Sequence, residues 1–220
     1  MIAMPLKSTT SEGSLADQAY RFLEEQLVTM QLVPAQMVAE KDLMVASGIG
    51  RTPVREAIQK LAAKGMLQVL PRKGLMVTPI RRSDLLQIVE ARRVLERLMV
   101  VKASERATDE QRQALRQLAL KLEASGDNLQ AYFRLDRQLD EWLEAACNNR
   151  HLVQALAAMH SQCRRLWYLH RQQLNLPRSA ELHAGLARAV ANADGAGAIR
   201  ALDEIITILE QLVAGLDVLS

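Results

Sequence analysis

Arg51 and Arg55 lie four residues apart in Gly50-Arg51-Thr52-Pro53-Val54-Arg55-Glu56-Ala57. That spacing is one turn of an α-helix, so both side chains share a face. A guanidinium fork matches guanine O6 and N7 together, and two such forks on one face can read base edges. Thr52, between them, can reach a phosphate or a thymine methyl, and the start of a helix also favours a phosphate. Lys41 opens the preceding helical stretch. Arg72 and Lys73 precede Gly74 at the tip of Pro71-Arg72-Lys73-Gly74, where they could enter a minor groove or lie on phosphate. Taken singly, each of these cations reads as ordinary solvated charge. As a set in one frame they point to double-stranded DNA.

A second group of polar residues falls on apolar helical stripes. Asp136 and Asp140 interrupt Leu129, Tyr132, Phe133, Leu139 and Leu143. Arg92 interrupts Leu85, Ile88, Val89, Leu95 and Met99, with Glu96 one turn later, and His183 sits among Leu182, Leu186 and Val190. A charge turned inward must be paired or must hold something charged. Two readings stay open: an internal ion-pair network, such as Arg92 with Asp136 or Asp140, or an effector pocket formed by Arg92, Asp136, Asp140 and His183. His160 and Cys163, three apart on a helix, read as packing. So do His151, His170 and Trp167, and Cys147 reads as a small apolar residue.

The elements that must position these groups follow from periodicity. An amphipathic helix over 14–32 stops before Pro34, and a short helix over 40–46 ends at Ser47-Gly48. Thr52 is the expected N-cap of a third helix, with Pro53 first inside it and Gly65 closing it. The runs 66–70 and 75–79 read as a β-hairpin around the basic tip. Three helices followed by a hairpin make a winged helix-turn-helix. From there only helical periods appear, over about 84–106, 109–124, 128–147, 150–174, 179–193 and 195–218, with Ser83 as the expected first cap. The expected fold is mainly α. Residues 1–13 form a flexible start, 14–79 a winged helix-turn-helix with a small hairpin wing, and 80–83 a linker. Residues 84–220 form an all-helical bundle of six to seven helices.

Composition agrees with a globular chain of 220 residues, 49% hydrophobic, 24% charged and only 3% aromatic. The first 82 residues carry 11 Lys/Arg and 7 Asp/Glu; the remainder carry 17 and 18. The mildly basic first third fits a polyanionic partner. No apolar run reaches the roughly 18 residues of a membrane span. Met1–Thr10 shows no secretory pattern, and two cysteines make no disulfide framework. A cytoplasmic protein without a membrane partner is expected. An enzyme is not: there is no nucleophile–base motif, no Gly-rich phosphate loop and no second metal set. A metal-dependent hydrolase on the helical half rests only on Asp136, Asp140 and His183. A structural DNA binder with an inert bundle is the other rival.

The run Glu40–Val77 resembles the DNA-binding domain of GntR-type transcription regulators. The resemblance rests on Gly48-Ile49-Gly50-Arg51-Thr52-Pro53-Val54-Arg55-Glu56-Ala57, then Leu61-Ala62-Ala63-Lys64-Gly65-Met66 and Pro71-Arg72-Lys73-Gly74. Gly50 stands where that family has Ser or Thr, and Lys41 where Arg is common. The helical half is similar to the C-terminal domain of the FadR subfamily at Arg92–Glu96, Asp136–Asn149 and His183 with Asp194-Gly195. This resemblance implies a homodimeric, ligand-responsive repressor on a palindromic operator, with an effector such as an organic acid in the bundle. It also implies a divalent metal (Zn, Ni or Mn) held by one Asp and three His. Those positions fall on Asp136, Asp140, His183 and Ile205, so one His is replaced by a carboxylate and one by a side chain without a lone pair.

Overall fold

In the computed structural model, residues 13–215 are described, and they divide after Pro79 into two compact units. The expected flexible start lies almost wholly outside them, as do the last residues of the final expected helix.

In the first unit Ser14 caps α1 (Leu15–Val28) by accepting from the Asp17 N–H. The helix presents Ala19, Leu23 and Leu27, all fully buried. It ends at Val28, four residues before the expected end, because Met30 takes a left-handed φ of 57° and no i→i−4 ladder continues through it. A short strand, β1 (Met37–Val38), follows, then α2 (Glu40–Ser47) and α3 (Arg51–Ala63). Val54, Ala57, Ile58 and Leu61 turn the apolar face of α3 onto the buried face of α1. Burying each large aliphatic side chain contributes about 1.5–3 kcal/mol.

The wing is β2 (Leu67–Leu70) and β3 (Gly74–Val77), antiparallel, with Leu70 opposite Gly74 and Leu67 opposite Val77. The two-stranded hairpin expected from sequence is a three-stranded sheet in the order β1-β3-β2, because Met37 pairs with Met76 and Val38 with Leu75. Two residues carry too short a pattern to signal a strand. Gly74 is required at the turn: its φ is +102°, and a Cβ there would stand 3.3 Å from the Val38 carbonyl oxygen of the third strand.

The second unit is helical throughout: α4 (Arg82–Arg106), α5 (Asp109–Glu123), α6 (Leu129–Cys147), α7 (Arg150–Leu169), α8 (Leu176–Ala191) and α9 (Gly195–Ala214). Helix α4 begins inside the span expected as linker, with Arg81 rather than Ser83 at its N-cap. Thr108 and Gln111 form a capping box on α5, and Asn128, Asn149, Asn175 and Asp194 cap α6 to α9. Pro177 lies in the first turn of α8, where a missing N–H leaves nothing unpaired. One continuous core joins all six helices, with Met99, Leu115, Tyr132, Leu156, Leu186 and Leu209 among its members. Among the described residues no helix is long and apolar enough to cross a membrane.

Candidate DNA-reading face and bundle pocket

Helix α3 starts at Arg51, with Gly50 at the N-cap and no side-chain cap. Thr52 is therefore the second helical residue rather than the cap. Pro53 stands third, a position that also lacks an intrahelical N–H partner and so tolerates proline. Burial of Val54, Ala57, Ile58 and Leu61 leaves Arg51, Thr52 and Arg55 on the exposed face. Both arginine side chains stay open, at 71% and 59% exposure. Glu40, the first residue of α2, brackets them: its Oε1 accepts from Arg51 Nε at 3.2 Å, and its Oε2 lies 3.5 Å from Arg55 Nε. Solvent-exposed pairs of this kind contribute about 0–1 kcal/mol, less than the roughly 1–3 kcal/mol of a bidentate guanine contact. The acid therefore orients the forks without locking them away from a base. Lys41 is exposed beside Glu40. In the wing, Arg72 (φ 63°) and Lys73 stand exposed at the turn closed by Lys73 N–H donating to the Leu70 carbonyl at 3.0 Å.

In the second unit, helices α4, α6, α7, α8 and α9 enclose a cavity that brings together Arg92, Glu96, Asp136, Asp140, His160, Arg164, His183 and Ile205. The volume that the centre of a water molecule can reach is about 40 Å³, room for a few waters or a small ligand. Arg92 does not pair with Asp136 or Asp140, as one sequence reading expected. It donates through Nε and Nη2 to Glu96 Oε1, at 2.9 and 2.8 Å. His160 Nε2 meets the same oxygen at 2.5 Å, while its Nδ1 lies 3.5 Å from Asp140 Oδ2 and 3.7 Å from Glu144 Oε1. Asp140 Oδ2 in turn accepts from Arg164 Nη1 at 2.7 Å. His183 Nε2 lies 3.2 Å from Asp136 Oδ1, and its Nδ1–H donates to the Ser179 carbonyl at 2.7 Å, with the Tyr132 hydroxyl oxygen 3.2 Å away.

Burial by itself disfavours every charge here, but the pairings reverse that for most of them. Desolvation would lower His160, yet Asp140, Glu144 and Glu96 push it up to about 9. Desolvation would raise Glu96, yet Arg92 and His160 hold it down at about 2. His183 is raised against its burial by Asp136, and Asp136 is lowered against its own by His183. Asp140 alone among the acids is raised: burial, joined by the charges of Asp136 and Glu96, outweighs His160 and Arg164.

The metal set implied by resemblance does not fit these residues. Ile205 is buried and offers no lone pair. Asp140 is occupied by Arg164, whose positive charge stands where a divalent ion would need an uncommitted carboxylate. Asp136 and His183 are already joined to each other. Among the described residues no three His, Cys, Asp or Glu side chains are arranged to hold an ion. Asp136, Asp140 and His183, the residues expected to hold Zn, Ni or Mn, are in this arrangement engaged with one another and with Arg164.

Sequence reasoning missed His160 and Arg164 at the centre of that network. The signal was present, since Leu156, His160, Cys163 and Trp167 form one buried stripe on α7, and Arg164 follows His160 by one turn. His170 and Trp167 are buried as expected, whereas His151 is exposed.

Residues 15–77 match the family described as bacterial regulatory proteins, gntR family, and residues 87–207 match the FCD domain. The Nta operon transcriptional regulator of Aminobacter aminovorans is 26% identical, over 71% of this chain and 75% of its own length. The HTH-type transcriptional repressor GlaR of Escherichia coli K12 is 27% identical, over 89% of this chain and 96% of its own. The solved structure of E. coli McbR/YncC shares the fold, with a TM-score of 0.79 at 22% identity, covering 92% of this chain and 98% of that one. Winged helix-turn-helix and FCD domain together identify the chain as a member of the GntR family of bacterial transcription regulators, in its FadR subfamily.

Proposed function

We propose that the chain acts as a homodimeric repressor in the cytoplasm. It reads a palindromic operator with Arg51 and Arg55, positions itself on phosphate with Lys41, Thr52, Arg72, Lys73 and Gly74, and releases DNA when a small effector enters the bundle pocket. The observation that carries this reading is the open face of α3, where two arginine forks stand one turn apart with only the half-buried Glu40 across them. A two-fold dimer would present two such faces to two half-sites, so operator symmetry would follow protein symmetry. An effector that prefers one dimer arrangement by about 1–3 kcal/mol would change operator affinity roughly 5–150-fold, and operator would change effector affinity by the same factor. The relative GlaR is a transcriptional repressor by name, which supports that direction of control. An organic acid in the pocket would have to take Arg92 from Glu96 or Arg164 from Asp140.

The test is selection of bound sequences from random double-stranded DNA by the full chain, with the mass of the complex measured in sedimentation. The expected outcome is an inverted repeat with guanine in each half, bound by two chains. Selected sequences without inverted symmetry, or binding by one chain, would refute the dimeric-operator reading.

A further inference from the structure

The buried residues Val54, Ala57, Ile58 and Leu61 fix which way α3 faces out. With about 100° between successive residues, Thr52, Glu56 and Gln59 point within about 30° of the direction opposite that buried centre. All three are exposed. Arg51 and Arg55 lie about 70–110° round to one side of that direction, and Lys60 about 70° to the other. The ridge that a major groove would meet head-on thus has a carboxylate at its middle and cations on its flanks. Those cations are engaged elsewhere. Arg51 and Arg55 are drawn to Glu40. Lys60, one turn after Glu56 and its natural partner on a helix, reaches instead to Asp17 on α1 at 3.0 Å. Among the described residues the Glu56 carboxylate accepts no hydrogen bond and forms no ion pair.

A carboxylate facing the groove opposes DNA in general. Phosphate repels it, and guanine O6, guanine N7 and thymine O4 offer it only further lone pairs. Two base edges offer a donor there, cytosine N4 and adenine N6. Adenine sets its donor beside the N7 acceptor, which suits an amide; cytosine presents the amino group without an acceptor, which suits a carboxylate. We propose that Glu56 accepts from N4 of a cytosine in each operator half-site, and so determines specificity beside Arg51 and Arg55. Rejection contributes as much as attraction: DNA without that amine leaves the carboxylate desolvated and repelled, so discrimination comes from loss on the wrong sequence. Glu56 can play this part only if α3 enters the groove, so its role deepens the operator reading and rests on it.

The test is selection from random double-stranded DNA by the full chain, unaltered and as Glu56→Ala. Each is then titrated on the selected operator and on copies carrying N4-methylcytosine at each half-site cytosine in turn. In that base the methyl group takes the major-groove side of the amine, and the remaining hydrogen keeps the pair with guanine. The expected result is a cytosine in each half-site that Glu56→Ala no longer requires, with the guanine preferences retained. Methylation of that cytosine should weaken binding of the unaltered chain about 5–150-fold and leave the variant unaffected. A cytosine preference that survives in Glu56→Ala would overturn the proposal. So would an equal change on operator and random DNA, or an equal response of both chains to methylation. Alanine is the best helix former, and circular dichroism checks that the variant folds. Should it not, the unaltered chain decides: an operator indifferent to methylation at every cytosine rejects the contact. Selection of no sequence at all would remove the operator reading and this role with it; an operator read without regard to Glu56 would remove this role alone.

Discussion

Glu40 and Glu96 each hold arginine with a single carboxylate, yet one stands at the surface of the first unit and the other inside the second. Glu40 is 31% exposed, and its two arginines are wide open; Glu96 is 3% exposed, and Arg92 is nearly enclosed. The groups are the same and the distances similar, between 2.8 and 3.5 Å. What differs is water. At the surface, solvent competes for both charges, so the pairing is weak and the guanidinium forks can be transferred to a base at little cost. Inside, each charge was desolvated to form the pair, and losing one partner strands the other. The first arrangement suits exchange and the second suits commitment: one unit leaves its arginines open to solvent, and the other commits them to buried acids.

Removing the acid from each setting breaks the comparison most directly. Glu96→Ala leaves Arg92 buried beside His160 without a counter-charge, and loss of one partner of a buried pair costs about 3–5 kcal/mol. Urea unfolding followed by circular dichroism should show that loss. A change under about 1 kcal/mol, the size of a surface pair, would mean that water reaches Glu96 after all.

The same enclosure should appear in the pH profile. His160 is raised from 6.5 to about 9, and it faces Glu96 and Arg92 on α4, Asp140 and Glu144 on α6, and Arg164 one turn along α7. A group whose folded pKa is raised contributes its full stability below the unfolded pKa and loses it as pH climbs through the folded one. Stability should therefore fall between pH 6.5 and about 9, by up to about 3 kcal/mol at one pKa unit per 1.36 kcal/mol. His160→Gln should flatten that slope. An unchanged slope in the variant would assign the fall to other groups.

On the exposed side, Arg51→Ala should lower the preference for the selected operator over random DNA by about 1–3 kcal/mol, with no effect on unfolding. Lys73→Ala, at the wing tip, should weaken both DNAs alike and reduce the salt slope by about 1. If Arg51→Ala weakened both equally as well, α3 would be gripping phosphate rather than reading bases.

The two regions also differed in how far they could be read from residues alone. The winged unit was legible because its signals are local: Pro34, Gly48, the Thr52-Pro53 step and the Pro71–Gly74 turn punctuate short apolar runs. Its errors were local too, a cap displaced from Thr52 to Gly50 and a two-residue strand at Met37–Val38. In the bundle the stripes correctly placed Arg92, Asp136, Asp140 and His183 around one interior, but not their partners. Arg92 can reach an acid on a facing helix or on its own, and which one it meets depends on how α4, α6 and α7 are packed together. His160 reads as packing in the sequence because one histidine on a stripe says nothing of the three carboxylates that three-dimensional packing places around it.

The smallest effect sharpens the comparison furthest. Glu40→Gln keeps the shape of the side chain and an oxygen acceptor for Arg51 Nε, but removes a negative charge from beside the DNA-reading face. Stability should change by less than about 1 kcal/mol, the ceiling of an exposed pair. Binding should respond unequally. Random DNA is held through phosphate, so deleting the carboxylate should raise affinity there. In the proposed operator complex the arginines would exchange Glu40 for guanine, and much of the repulsion would be offset by the ordering that Glu40 supplies beforehand. The preference for operator should therefore fall, by less than about tenfold, while total affinity rises. Parallel titrations of wild type and variant on both DNAs, at two salt concentrations, give the ratio. A ratio that rises on losing the carboxylate would show that Glu40 holds the forks away from guanine, and the surface pair would then be a lock of the same kind as the buried one.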